Sequence, residues 1–342
     1  MRSKPKPVLT DIKIEGIAAE GKAIAHAPDG TIVFVPFAVP GDVADIQVTK
    51  KRKNYMEGYV ISLKKPSEQR QEPFCSHFGV CGGCKWQILP YEMQLKAKEA
   101  QVYDQLSRIG HLELPEIQPI IPSDKKTEYR NKLEFTASNR RWLLKGEDAD
   151  SLPPALMCGL GFHVEKHFDK VLDMEKCHLQ REPANEIRIF LKKFAVNHDI
   201  PFYDIRANTG ILRNLIVRTA ENGSVMVIVC FAEDFPGRVK MLETLSIRFP
   251  QITSLYYIIN RKKNDSIADQ TPLLFKGEEA IYEEMEGLRF KIGPKSFFQT
   301  NTLQAYKLYK LVRDFAELSG NETVYDLYTG TGTIALFIAS KA

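Results

Sequence analysis

The sequence predicts a multidomain α+β protein: an N-terminal β-barrel of the oligonucleotide-binding type, a central α/β domain, and the start of a Rossmann-like domain. Three patterns predict it. A series of short β-rich runs fills residues 8–64. Strand and helix signals alternate over residues 113–290. A strand, a glycine-rich turn and a helix then follow one another from Thr323. A chain of 342 residues is long enough for two or three domains, and 44% hydrophobic with 26% charged residues excludes a disordered chain. The domains are expected at 1–66, 67–292 and 293–342.

In the first domain, strands are expected at Val8–Ile14, Ala23–Ala25, Ile32–Val35, Val43–Val48 and Tyr59–Ile61. Pro28-Asp29-Gly30 and Pro40-Gly41-Asp42 are turns between them. Pro66 opens a polar linker to a cysteine-rich segment, Phe74–Gln87. Pro90 then precedes a predicted helix from Tyr91 to Ile109, with Leu95, Val102, Leu106 and Ile109 on one face and Gly110 as its stop. A second helix is predicted over Glu182–Val196, a buried strand over Val225–Val229, and a third helix over 303–318. Thr323–Tyr328 reads as a strand, Thr329–Gly332 as its turn, and a helix begins at Thr333. One strand with one helix makes no parallel sheet, so the sequence is expected to stop inside this last domain.

The longest strongly apolar run, Val225–Phe231, is far short of the roughly twenty residues a membrane helix needs. No secretory signal is read in the first thirty residues. The expectation is a cytoplasmic monomer with no membrane partner. Net charge is +4, and residues 1–66, with 11 Lys/Arg against 7 Asp/Glu, carry all of it. A localised basic excess, including Lys50-Lys51-Arg52-Lys53, points to a polyanion such as nucleic acid.

Three constellations could carry chemistry. Cys75, Cys81 and Cys84 lie within ten residues, with Cys177 as a candidate fourth thiolate. Thiolates at this density suit an iron–sulfur cluster or zinc, and C-x5-C-x2-C lacks the paired knuckles of a zinc ribbon. Gly330-Thr331-Gly332-Thr333-Ile334-Ala335 fits the dinucleotide pattern G-x-G-x-x-A. With Asp326 before it, the same stretch reads D-x-Y-x-G-x-G, which resembles the first motif of S-adenosylmethionine-dependent methyltransferases. Phe297-Phe298-Gln299-Thr300-Asn301 sets two aromatics beside two amides, a combination that could hold a heteroaromatic ring or simply lead into the next helix. Cys158 and Cys230 read as structural.

Taken together, these residues resemble the 23S ribosomal RNA (uracil-5-)-methyltransferases and their transfer RNA relatives over nearly the whole chain. Gly21–Ala25, Phe34-Val35-Pro36 and Pro40-Gly41-Asp42 resemble the RNA-binding TRAM domain. Phe78–Cys84 with Gln87 resembles the family's cluster segment, and Tyr129-Arg130-Asn131-Lys132 its central signature. Val171-Leu172-Asp173 through Cys177-His178-Leu179, Leu212–Leu215 and Phe297–Asn301 match as well.

The resemblance implies a [4Fe–4S] cluster on Cys75, Cys81, Cys84 and Cys177. It implies methyl-donor contacts from Gln299 and Tyr328, in a site that includes Asp326, Gly330 and Gly332. The implied reaction is methylation of uridine C5, with 23S ribosomal RNA preferred and transfer RNA as the alternative. In that chemistry a cysteine adds to C6, and a glutamate later removes the C5 proton. Both are expected beyond residue 342, so no catalytic residue is assigned here and residues 1–342 alone are expected to be inactive. The rival reading is a non-catalytic RNA-binding or redox-sensing iron–sulfur module.

Overall fold

The computed structural model describes residues 6–342. The chain divides between Asp124 and Lys125 into two compact units.

The first unit opens with β1 (Val8–Ile17), β2 (Lys22–His26), β3 (Ile32–Pro36), β4 (Val43–Lys51) and β5 (Tyr55–Lys65). They close into a barrel in the order β1-β2-β3-β5-β4. Only β3 and β5 pair in parallel; the other ladders are antiparallel. Alternation along each strand sends Ile12 and Ile14, Ala23 and Ala25, Val33 and Val35, and Ile46 and Val48 inward. Gly58 is needed on β5 because a Cβ there would stand 2.5 Å from Ile46 Cγ2 and 2.8 Å from the Gln47 carbonyl. The strands fall where the sequence predicts them and run longer, because pairing extends each one along its neighbours.

Helix α1 (Tyr91–Asp104) ends earlier than predicted, and a single wider turn, Gln105–Ile109, continues it. None of Leu95, Val102, Leu106 and Ile109, the residues of its predicted apolar face, is buried among the described residues. Helical spacing alone cannot tell a core-facing stripe from an exposed one.

The second unit is built on a seven-stranded sheet. Its strands are β6 (Lys132–Ser138), β7 (Gly159–Val164), β8 (His167–Leu172), β9 (Leu212–Thr219), β10 (Val225–Phe231), β11 (Ile252–Ile259) and β12 (Leu273–Gly277). Their order is β12-β11-β10-β9-β6-β7-β8. Helices α2 (Ala184–Asn197) and α3 (Gly237–Arg248) pack on one face. Helix α3 is the crossover between β10 and β11, which are the parallel pair of the sheet. On the other face lie the hairpin β13 (Ile281–Met285) and β14 (Leu288–Ile292), helix α4 (Thr302–Phe315) and helix α5 (Thr333–Ile338). Ile216, Met226, Ile228 and Ile258 from the sheet pack there with Phe290, Phe298, Tyr309 and Phe337. Strand β10 is therefore buried on both faces, as its unbroken apolar run predicts.

The predicted strand Thr323–Tyr328 does not form. A strand exists through ladder hydrogen bonds to a neighbour, and no described strand pairs with this segment. Tyr325, Leu327 and Tyr328 are exposed. The glycine turn and α5 are present without the predicted strand before them.

Candidate functional site

The glycine turn is shaped by Asp326. Its Oδ2 accepts a hydrogen bond from the Thr329 hydroxyl at 2.9 Å and from the Ala335 N–H at 3.1 Å, closing the turn onto the first residues of α5. Gly330 (φ +58°) and Gly332 (φ +72°) lie in the left-handed region. Nothing crowds a Cβ at either position closer than 3.9 Å, so it is the backbone conformation that calls for glycine. Tyr328 shares that conformation (φ +62°) without being glycine, and its side chain is fully exposed. Such a residue costs about 1–3 kcal/mol, a strain concentrated at ligand sites.

The Phe297–Asn301 segment is brought against this turn. The Thr331 hydroxyl donates to the Phe297 carbonyl at 3.2 Å, and Tyr309 of α4 shares a 3.2 Å hydrogen bond with Thr333. Phe298 is buried in the same core as Phe337, while Phe297 and the Gln299 side chain face solvent. Asn301 caps α4 by accepting from the Gln304 N–H at 3.0 Å. Gln299, Tyr328, Asp326, Gly330 and Gly332 therefore belong to one locality in one unit.

The segment is fixed from beneath by residues to which the sequence assigned no such role. Asn131 Nδ2 donates to the Gln299 carbonyl at 2.8 Å and to Thr302 Oγ1 at 2.9 Å, and the Asn131 N–H donates to the Thr300 carbonyl at 2.7 Å. The Thr302 hydroxyl donates in turn to Glu283 Oε1 at 2.9 Å. Arg218 of β9 reaches the Ser296 carbonyl at 2.7 Å. Glu283 is 1% exposed; burial pushes its carboxyl up, against the Thr302 hydroxyl and the Glu221 N–H. The signal for Glu283 was available in Ile281-Tyr282-Glu283-Glu284-Met285, where strand alternation sends it inward with two apolar residues. Asn131→Ala removes both side-chain bonds. It is expected to lower stability by about 1–3 kcal/mol, read as a lower midpoint in denaturant unfolding.

The cysteines divide between the units. In the first, Cys75, Cys81 and Cys84 share one loop. The Cys75 N–H donates to Gln87 Oε1 at 3.2 Å, and the Cys81 N–H to the His77 carbonyl at 2.9 Å. The loop rests on the barrel through the Phe37–Phe78 edge contact at 5.3 Å and through Trp86 packed with Val39. Burial pushes the Cys81 thiol up, and the neighbouring Cys84 and Cys75 add to this against a hydrogen bond from the Gly83 N–H. Cys177 lies in the second unit, buried, its backbone held in both directions by the Asn185 side chain. Three thiols on one loop are donor chemistry suited to a thiophilic metal. Among the described residues, however, no group of three or more His, Cys, Asp or Glu side chains stands in metal-holding geometry. The expected four-thiolate set is thus not assembled within either unit. Cys230 is fully buried and pushed up to about 12 by burial, and burial also raises Cys158. Neither is set up as a nucleophile.

On the barrel, the β4–β5 turn presents Lys51, Arg52 and Lys53 to solvent. Lys50 is paired with Glu57 at 3.0 Å and stands 5.9 Å over the Tyr55 ring. Among the described residues no helix is long and apolar enough to cross a membrane.

A closed barrel with an exposed basic turn, and a layered unit with a glycine turn beside an exposed amide, define an α+β protein of two folded units, the first of the oligonucleotide-binding type. Comparison with known proteins agrees. Residues 10–61 match the TRAM domain. Over 97% of its length the chain is 52% identical to a protein from Porphyromonas gingivalis named an RNA methyltransferase, and it spans 72% of that relative. A Bacteroides thetaiotaomicron protein with the same description is also 52% identical, over 95% of this chain and 72% of its own. Among solved structures, the Pyrococcus abyssi tRNA (uracil-54, C5)-methyltransferase in complex with S-adenosyl-L-homocysteine superposes with a TM-score of 0.67. It is 25% identical over 96% of this chain and 70% of that one. The chain belongs to the family of TRAM-containing RNA methyltransferases.

Proposed function

We propose that this chain carries the RNA-binding and methyl-donor-binding parts of an S-adenosylmethionine-dependent RNA (uracil-5-)-methyltransferase. The observation that carries the reading is the juxtaposition of the Phe297–Asn301 segment with the Asp326–Gly332 turn. S-adenosylmethionine supplies an electrophilic methyl group on a sulfonium. The chain's own residues would hold it: the Gln299 amide and the Tyr328 ring by contact, Gly330 and Gly332 by close backbone approach, and Asp326 by keeping the turn shut. The exposed cations of the barrel turn would engage RNA phosphates.

Uracil C5 is a weak nucleophile, so the reaction needs covalent activation. A cysteine thiolate bonds to C6, C5 takes the methyl group as its bond to the donor sulfur breaks and a neutral thioether leaves, a general base removes the C5 proton, and the C6–S bond breaks to return the thiolate. Neither Cys158 nor Cys230 fits that role, and we assign the nucleophile and the base Glu to positions outside residues 1–342. By the sequence resemblance, Cys75, Cys81, Cys84 and Cys177 are proposed to bind a [4Fe–4S] cluster. The family resemblance favours 23S ribosomal RNA as substrate; the likeness to the P. abyssi enzyme favours transfer RNA as the second reading. A cytoplasmic location suits either RNA.

The test incubates the complete protein with labelled S-adenosylmethionine and, separately, 23S ribosomal RNA fragments and transfer RNA. The expected product is 5-methyluridine in one of them, and Gln299→Ala should reduce the rate by about 10²-fold, as loss of an orienting group does. The 342-residue chain alone should give none. Label on a ribose or on adenine, or methyl transfer by residues 1–342 alone, would overturn the reading.

A further inference from the structure

The loop Asn260–Gln270, which joins β11 to β12, is held far more tightly than a surface connection requires. Arg213 of β9, 1% exposed, reaches into it: Nη1 donates to the carbonyls of Asn260 (2.8 Å) and Lys262, and Nη2 donates to the Asn264 carbonyl (3.0 Å) and Asp265 Oδ1 (2.9 Å). The Arg213 guanidinium also lies 4.2 Å from the Tyr203 ring centre. Asn260, fully buried, bridges the loop: its Nδ2 donates to the Asn264 carbonyl at 3.0 Å, and its Oδ1 accepts from the Lys262 N–H at 3.1 Å. Lys295 closes the far end, donating to the carbonyls of Ala268 (2.9 Å) and Gln270 (3.0 Å).

This arrangement has a cost. Burying an arginine requires desolvating it, and Arg213 Nε has no hydrogen-bond partner in its buried position. What the arrangement secures is the shape of the loop. Every second residue, Asn260, Lys262 and Asn264, is bonded inward, while Arg261 and Lys263 between them are exposed. The acids of the loop are already engaged: Asp265 by Arg213, and Asp269 by Lys262 at 2.6 Å. Asp234, within electrostatic range of Arg261, is itself bonded to Arg238 at 2.7 Å. Among the described residues neither Arg261 nor Lys263 forms an ion pair. Two cations on a rigid loop lose little conformational entropy when they bind, unlike the same pair on a mobile one.

We propose that Arg261 and Lys263 form a preformed phosphate-binding edge for the RNA substrate, separate from the barrel. The inference rests on the RNA methyltransferase reading and adds a second RNA contact to it. Phosphate contacts of this kind position the nucleic acid without reading its sequence.

The test measures binding of the 342-residue chain to a labelled uridine-containing RNA stem-loop between about 50 and about 200 mM KCl. Arg261→Glu/Lys263→Glu is compared with the unaltered chain and with the barrel variant Arg52→Glu/Lys53→Glu, each checked by circular dichroism. The loop variant is expected to bind about tenfold more weakly for any sequence, with a log–log salt slope shallower by about 1.4 for two lost contacts to a single strand. Should the charge reversal disturb folding, Arg261→Gln/Lys263→Gln should still weaken binding and flatten the slope. Unchanged affinity and slope in the loop variants, with the unaltered chain and its barrel dependence intact, would overturn the proposal and leave the RNA reading standing. No RNA binding by the unaltered chain would instead bring down the RNA reading, and this inference with it.

Discussion

Replacing Asp42 with alanine is expected to destabilise the N-terminal unit by about 3–5 kcal/mol, the scale for breaking a buried ion pair on one side. The Asp42 carboxylate is completely buried and satisfied from four directions. Arg70 donates through Nη2 at 2.6 Å and Nε at 3.2 Å, and the N–H groups of Val39 and Ser67 each donate at 2.8 Å. Arg70 also donates to the Phe37 carbonyl at 3.2 Å, and Ser67 Oγ to the Pro40 carbonyl at 2.7 Å. One side chain thus ties the β3–β4 turn to the linker leaving the barrel. Gly41 before it is left-handed (φ +94°), and a Cβ there would meet Ser67 Oγ at 2.8 Å. Alanine at 42 would leave the Arg70 charge and two N–H groups without their acceptor. A double-mutant cycle with Arg70→Ala should show strong coupling, the pair costing less than the sum of the single changes. Burial by itself would raise the Asp42 carboxyl, but Arg70 and the two N–H groups hold it below the usual carboxylate value. A depressed folded pKa gives stability that is present above the unfolded value of about 3.9 and lost as pH falls through the folded one. The gap between the unaltered protein and Asp42→Ala in denaturant midpoint should therefore be full at neutral pH and shrink in acid. A gap independent of pH would contradict the ion pair.

Serine at Cys81, or separately at Cys177, is expected to abolish the proposed iron–sulfur cluster. Anaerobically purified protein should be brown and hold about four iron per chain; either variant should be colourless with almost none. Because ligation energy is also folding energy, both variants should unfold at lower denaturant concentration than the unaltered protein. Cys230→Ser is the control. Cys230 sits in β10 at zero exposure, so its loss should disturb packing but leave the iron in place. The two cysteine variants probe different units, which makes the comparison informative. Iron retained on Cys177→Ser but lost on Cys81→Ser would assign the metal to the first unit alone. Colourless unaltered protein with one zinc would replace the cluster by a zinc site.

The sequence by itself determined the features that rest on local rules. The barrel strands were legible because alternation and Pro/Gly turns are written into adjacent residues, as in Ile32–Val35 and Pro40-Gly41-Asp42. Strand β10 was legible because a short unbroken apolar run has few other uses, and the glycine turn at Gly330 and Gly332 because only glycine adopts its left-handed backbone cheaply. The motif pattern reached the methyltransferase family by the same route. Tertiary structure decided what depends on distant partners. The apolar stripe of α1 is written like a core stripe yet stays unburied, since spacing states a face and never its neighbour. Thr323–Tyr328 reads as a strand but has no ladder, since pairing is a property of two segments. The partners of Asn131 and Glu283 come only with the fold: the Gln299 carbonyl, 168 residues further along, for one and the buried Thr302 hydroxyl for the other. A buried polar group finds its partner only in the folded chain, so its role is written in three dimensions.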